Sequence, residues 1–180
     1  MSYFKEFLKD KNVGAISSSS KAMGNKMYGS LNLKDSKAVV EFGAGDGVFT
    51  TEIIRLIGNE TKFFVFETNE SLFNVLKEKI NDERVILIND SAEKIGEYLL
   101  NYKISQVDYI ISALPLSLIP ADIKNSIIKN ALNSLKNDGQ YVQFQYTPYD
   151  YLRLRRYFKK VKLSFTLTNF PPAFLYRCFP

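Results

Sequence analysis

Histidine and tryptophan are absent from this 180-residue chain, and Cys178 is its lone cysteine. A single cysteine excludes an internal disulfide. Without histidine beside it there are too few ligands for a zinc or other transition-metal site, so metal-free chemistry is expected. No apolar run approaches the ~20 uncharged residues of a spanning helix, and charges stand at the N-terminus where an export signal would be apolar. A cytoplasmic protein is expected. What the chain does have is 46% hydrophobic residues, 24% charged residues and a formal charge of +5. The length and balance suit one globular domain over residues 1–180. The positive balance is compatible with nucleic acid or with the anionic cytoplasmic face of a membrane, and charge alone does not choose.

From Ala38 onward, short β-branched or aromatic runs alternate with segments of helical period, the pattern of βαβ units and a largely parallel sheet. Strands are expected at Ala38–Phe42, Lys62–Phe66, Val85–Ile88, Val107–Ile111, Tyr141–Tyr146, Val161–Leu167 and Phe174–Phe179. After Asn69, Leu72, Phe73, Leu76 and Ile80 share one helical face. Ile123, Ile127, Ala131, Leu132 and Leu135 do the same in a helix opened by Pro120. Its end is expected at Asn137-Asp138-Gly139, with the glycine as a left-handed cap. The last two strands are joined too closely for a crossover helix and should pair antiparallel. The fold class is therefore α/β, a Rossmann-like, mostly parallel seven-stranded sheet with a C-terminal antiparallel hairpin. Residues 1–30 stand apart as a helical cap. Tyr3, Phe4, Phe7 and Leu8 form one face of a short amphipathic helix, open to either sheet packing or a membrane surface.

The most informative motif is Val40-Glu41-Phe42-Gly43-Ala44-Gly45-Asp46-Gly47, an apolar strand running into a glycine turn that opens a helix at Val48. Its glycine spacing departs from the G-x-G-x-x-G of dinucleotide sites. Glu41 and Asp46 would also repel a pyrophosphate. The pair of acids suits a ligand with an ammonium and a sulfonium, as in S-adenosylmethionine. Glu67 ends the second strand twenty positions after Gly47, close to the ~20-residue spacing at which an acid meets a ribose diol. Asp90, followed by Ser91, is a candidate for the adenine amino group, or alternatively an N-cap. Ser112-Ala113-Leu114-Pro115-Leu116 follows the fourth strand, where this fold class reaches the transferring methyl. Adenine methyltransferases have an N-P-P-Y or N-L-P-Y sequence there. The amide and the stacking ring are both missing here, which argues against a nucleobase acceptor.

The chain resembles the small bacterial phospholipid N-methyltransferases, a family of class I S-adenosylmethionine-dependent enzymes that convert phosphatidylethanolamine toward phosphatidylcholine. The resemblance runs through Val13-Gly14-Ala15-Ile16, Glu41 to Thr50, Ser112 to Pro120, Gln143-Phe144-Gln145-Tyr146 and Asn169-Phe170-Pro171-Pro172-Ala173-Phe174. It implies a cofactor site of Glu41, Gly43, Gly45, Gly47, Glu67, Asp90, Ser91, Ser112 and Leu114. It also implies a peripheral membrane location, with the N-terminal helix lying on the membrane over the cofactor. A phospholipid headgroup and an anionic membrane surface are the expected partners. Nucleic acid and metal are not, and a monomer is expected.

Lys21, Arg153, Arg156 and Arg177 are candidates for phosphate capture, with Gln145 and Asn169 as further acceptor contacts. Transfer would be direct and in line. A proton must leave the amine first, and without histidine the acceptor is water or a tyrosine, Tyr146 or Tyr176. Core packing is the alternative role for both tyrosines; Ser112 completes the catalytic candidates. Two other functions stay open: an rRNA adenine N6-methyltransferase, and a peripheral membrane protein that binds the cofactor without catalysis.

Overall fold

The computed structural model describes residues 24–166 and 173–180. Seven strands form one sheet: β1 (Ala38–Phe42), β2 (Lys62–Phe66), β3 (Val85–Ile88), β4 (Val107–Ser112), β5 (Leu135–Gln145), β6 (Lys160–Thr166) and β7 (Ala173–Phe179). Their order is β3-β2-β1-β4-β5-β7-β6. The first five are mutually parallel, and β7 runs antiparallel to both β5 and β6. The expected hairpin is present.

The central strands are buried on both faces, which is why β1 reads as the unbroken run AVVEF instead of an alternating one. Five helices cover them: α1 (Val48–Ile54), α2 (Glu70–Lys79), α3 (Ile95–Asn101), α4 (Ala121–Ser134) and α5 (Tyr151–Tyr157). On one face Val40, Phe42, Phe64 and Tyr176 pack under α3, α4 and α5 through Leu99, Ile127 and Leu154. On the other, Val39, Phe63, Val142 and Leu175 pack under α1 and α2 through Ile53 and Leu76. Residues 24–28 are helical, and Met27 and Tyr28 join this second core. The amphipathic segment at residues 3–11 lies outside the described residues. Among the described residues no helix is long and apolar enough to cross a membrane.

Helix α2 starts where Asn69 accepts from the main-chain N–H of Leu72, an N-cap that satisfies one orphan donor of the first turn. Helix α4 ends earlier than its sequence suggests. Leu135 is already extended and pairs with Val107, and β5 carries Asn137-Asp138-Gly139 in a bulge before its pairing with β4 resumes at Tyr109–Gln140. Gly139 is not left-handed, since the positive-φ glycines are Gly43, Gly45 and Gly47. Glycine is required there by proximity. A Cβ would lie 2.9 Å from the Asp108 carbonyl oxygen on β4 and 3.0 Å from that of Lys136.

Candidate active site

Parallel topology brings the C-terminal ends of β1 to β5 to one edge of the sheet, and the loops leaving them build the site. The turn after β1 is held to β2 by main-chain bonds from Gly43 and Ala44 to the Phe66 carbonyl, at 2.9 and 3.2 Å. Each of its three glycines has a positive φ, where a side chain is strained. They differ in surroundings. A Cβ on Gly43 would meet the Leu114 side chain at 2.9 Å and one on Gly47 that of Leu76 at 2.7 Å, whereas one on Gly45 would meet nothing within 4 Å among the described residues. Gly45 is thus where main chain faces a vacant approach.

Two carboxylates flank that approach. The Gly45 amide donates to Glu67 Oε2 and the Asn69 amide to Oε1, both at 2.8 Å. Glu67 is thereby fixed at the end of β2, with one further lone-pair direction on each oxygen for a pair of hydroxyls. Glu41 is buried on β1. Its Oε2 accepts from the Thr50 hydroxyl on α1 at 2.7 Å, and its Oε1 has no partner among the described residues. Burial pushes its carboxyl up to about 7, the Thr50 bond opposes this, and the nearby Glu67 charge adds to it. A buried acceptor with an open lone pair and an upward-shifted carboxyl is a place for an incoming cation. The ammonium of an amino-acid moiety meets that need, and the Gly45 opening and Glu67 suit a ribose between it and a base.

Asp90 lies two residues beyond β3. Its Oδ2 takes Lys94 Nζ at 2.9 Å and the Tyr98 hydroxyl at 3.0 Å, and its Oδ1 takes the Ser91 amide at 2.7 Å. The Lys94 bond is the largest of the influences that hold its carboxyl below the usual range. Capping of the following 3-10 turn, Ala92–Lys94, falls to Ser91, whose hydroxyl accepts from the Glu93 amide.

Ser112 is fully buried at the end of β4 and accepts from the Leu114 amide at 3.4 Å. Gln143 on β5 is its register partner and donates through Nε2 to the Leu114 carbonyl at 2.9 Å, so the loop after β4 is anchored to its neighbour. Leu116 is fully buried in the core.

The tyrosines are not brought together. Tyr146 is 37% exposed and stacks edge-on against Phe144, which packs with the core of the α1 side. Tyr176 is buried in the opposite core, where its hydroxyl donates to the Thr147 carbonyl at 3.1 Å. Burial raises both phenols above their ordinary range.

The basic candidates also separate. Arg153 is turned inward to Asn125 and Asp150, Arg156 is exposed on α5, and Arg177 donates to the Lys26 carbonyl on the other face. Lys21 and Asn169 lie outside the described residues. Residue-by-residue reading missed a buried polar group at the end of β5. Asp150 there accepts from Lys124, Arg153 and Gln145. A lysine at position 124, on the apolar side of α4, was the available signal.

Residues 2–160 match the family model described as ribosomal RNA adenine dimethylase. An ornithine lipid N-methyltransferase of Singulisphaera acidiphila is 24% identical over 168 residues, 92% of this chain and 88% of that protein. A ribosomal RNA small subunit methyltransferase H of Finegoldia magna is 29% identical over 100 residues, 54% of this chain and 32% of its own length. Among solved structures, an S-adenosylmethionine-dependent methyltransferase from Aquifex aeolicus has TM-score 0.70 at 14% identity, covering 97% of this chain and 96% of that one.

Proposed function

The chain belongs to the ribosomal RNA adenine dimethylase family of S-adenosylmethionine-dependent methyltransferases, and within it we propose a member that N-methylates a phospholipid headgroup amine, carrying phosphatidylethanolamine toward phosphatidylcholine. The observation that carries this reading is the loop after β4. From Ser112 to Leu116 it offers no side-chain amide for an exocyclic amine and no ring for a base, and Leu116 is fully buried. Similarity supports a lipid amine as acceptor: the ornithine lipid N-methyltransferase matches over 92% of this chain and the rRNA methyltransferase H over about half, while the family model itself spans residues 2–160. The protein is in this reading a peripheral cytoplasmic enzyme, and of the expected cap at residues 1–30 the described part packs on the sheet through Met27 and Tyr28.

S-adenosylmethionine supplies an electrophilic methyl on a sulfonium. The chain's own part is binding, alignment and exclusion of water. Glu41 Oε1 and the Gly45 main chain would hold the amino-acid end, Glu67 the ribose, and Asp90 and Ser91 the base. Leu114, packed on Gly43, and Ser112 would close the side from which the amine comes. The amine attacks in its neutral form, so its proton must pass to water; burial keeps the Tyr146 phenol protonated, which leaves it to orient the amine through its hydroxyl oxygen. Of the basic candidates, Arg156, exposed on α5, is the one the described residues leave available to a headgroup phosphate, since Arg153 is engaged by Asn125 and Asp150 and Arg177 lies on the other face.

Purified protein, labelled cofactor and liposomes of mixed phosphatidylethanolamine and anionic lipid test the reading. Label in mono-, di- or trimethylated phosphatidylethanolamine supports it; unlabelled lipid, with the cofactor bound, removes it. The family description and the +5 charge favour a second reading, an rRNA adenine acceptor, which would show as label in RNA.

A further inference from the structure

The buried polar group at the end of β5 has a defined direction. Asp150 Oδ1 is occupied by two cations, Lys124 Nζ at 3.1 Å and Arg153 Nε at 3.3 Å. Its Oδ2 receives Gln145 Nε2 at 3.2 Å. A carboxylate in contact with two cations only accepts, so the Gln145 amide must present its nitrogen to Asp150 and turn its oxygen the other way. That oxygen, Oε1, is buried and has no partner among the described residues, and Gln145 as a whole is only 5% exposed. The amide is held this way round because turning it over would set its oxygen against the Asp150 carboxylate.

An unpaired buried acceptor disfavours the folded state, and a donor from outside would relieve it. Gln145 is the last residue of β5, on the strand whose Gln143 anchors the loop carrying Ser112 and Leu114. We propose that Asp150 is a positioning residue, holding Gln145 so that its side-chain oxygen accepts an N–H of the acceptor amine. The hydrogen bond fixes the amine's orientation before attack. This rests on the reading of the chain as an amine methyltransferase and adds to it the means by which the amine is aimed.

Three variants test it, each read by acceptor kcat and KM on amino-lipid liposomes, cofactor Kd by calorimetry, and Tm. Asp150→Asn lets residue 150 donate, so the Gln145 amide reverses and shows nitrogen to the amine. Acceptor kcat/KM should fall at least 10-fold with cofactor Kd within twofold. Gln145→Glu combined with Asp150→Asn keeps the total charge and restores an outward oxygen, and should recover most of the loss. Gln145→Leu removes the unpaired oxygen and with it the donor to Asp150 Oδ2, so Tm should fall modestly; assayed below the transition with cofactor Kd within twofold, kcat/KM should still fall at least 10-fold, whereas a purely structural role lowers Tm and spares kinetics. Unchanged kcat/KM in Gln145→Leu, or no recovery in a double variant that folds and binds cofactor, overturns the proposal. If the unaltered protein methylates RNA and not lipid, the lipid reading falls, and the same variants measured on the RNA amine decide the role of Asp150.

Discussion

The main-chain amide of Gly45 donates to Oε2 of Glu67 at 2.8 Å, closing a gap of 22 residues between the turn after β1 and the end of β2. One carboxylate therefore shapes the glycine turn and stands ready for the ribose. Glu67→Ala should raise the Kd for S-adenosylmethionine on the order of 10- to 100-fold, the worth of hydrogen bonds to a charged group. Calorimetric titration checks it, and Asp46→Asn, which alters charge outside the buried acids, serves for comparison.

Glu41 gives a pH dependence. Its folded-state carboxyl is raised from 4.5 to about 7, so the empty protein binds this proton more tightly than the unfolded chain does. Its contribution to stability declines as pH rises from about 4.5 to 7 and is level above that. An ammonium on Oε1 requires the ionised form, so below about pH 7 cofactor binding should release a proton and weaken, up to about tenfold per pH unit. The ligand's own α-amino group loses charge near ~8, placing the optimum between the two. Titration at pH 6 in two buffers of different ionisation heat measures the proton release, which Glu41→Gln should abolish.

The glycines separate stability from binding. Gly45→Ala places a methyl where no described residue comes within 4 Å, at φ +61°, so its structural cost is the left-handed backbone alone, about 1–2 kcal/mol. Cofactor affinity should suffer more than stability does. Gly43→Ala adds a 2.9 Å approach to Leu114 and should lower Tm further. Thermal denaturation with and without cofactor distinguishes the two.

Arg84 tests the frame alone. Its guanidinium donates to the carbonyls of Ile54, Ile57 and Gly58 beyond α1, at 3.0, 3.0 and 3.2 Å, and pairs with Asp82 at 2.7 Å. The Ile54 carbonyl is one of the orphans at the C-terminus of α1, and the other two belong to the turn that follows it. Arg84→Ala should cost about 2 kcal/mol in denaturant unfolding and leave kcat unchanged below the transition.

Strands β1, β2 and β3 were legible to the residue because each is an apolar run bounded by polar residues; β1 and β2 are paired in parallel on both sides and β3, at the sheet edge, on one. The glycine turn and Glu67 were legible because the chemistry follows from spacing. The end of α4 was not, since its apolar period continues through Leu135 while pairing of β5 with β4 at Val107–Leu135 takes that residue into the sheet. Gly139 answers to a neighbouring carbonyl that no local pattern reveals. Arg84 and the Lys124–Asp150 pair escaped for the same reason: their partners lie 26 to 30 residues away. Tyr146 and Tyr176 look alike in sequence, but packing puts them against opposite cores.

The choice of acceptor is tested most directly by competition. Protein, labelled S-adenosylmethionine, phosphatidylethanolamine liposomes and small-subunit rRNA are combined in one vessel, and the methylated products are identified by mass. The account predicts methyl increments on the lipid amine and unlabelled RNA; methylated adenine with unmodified lipid would contradict it.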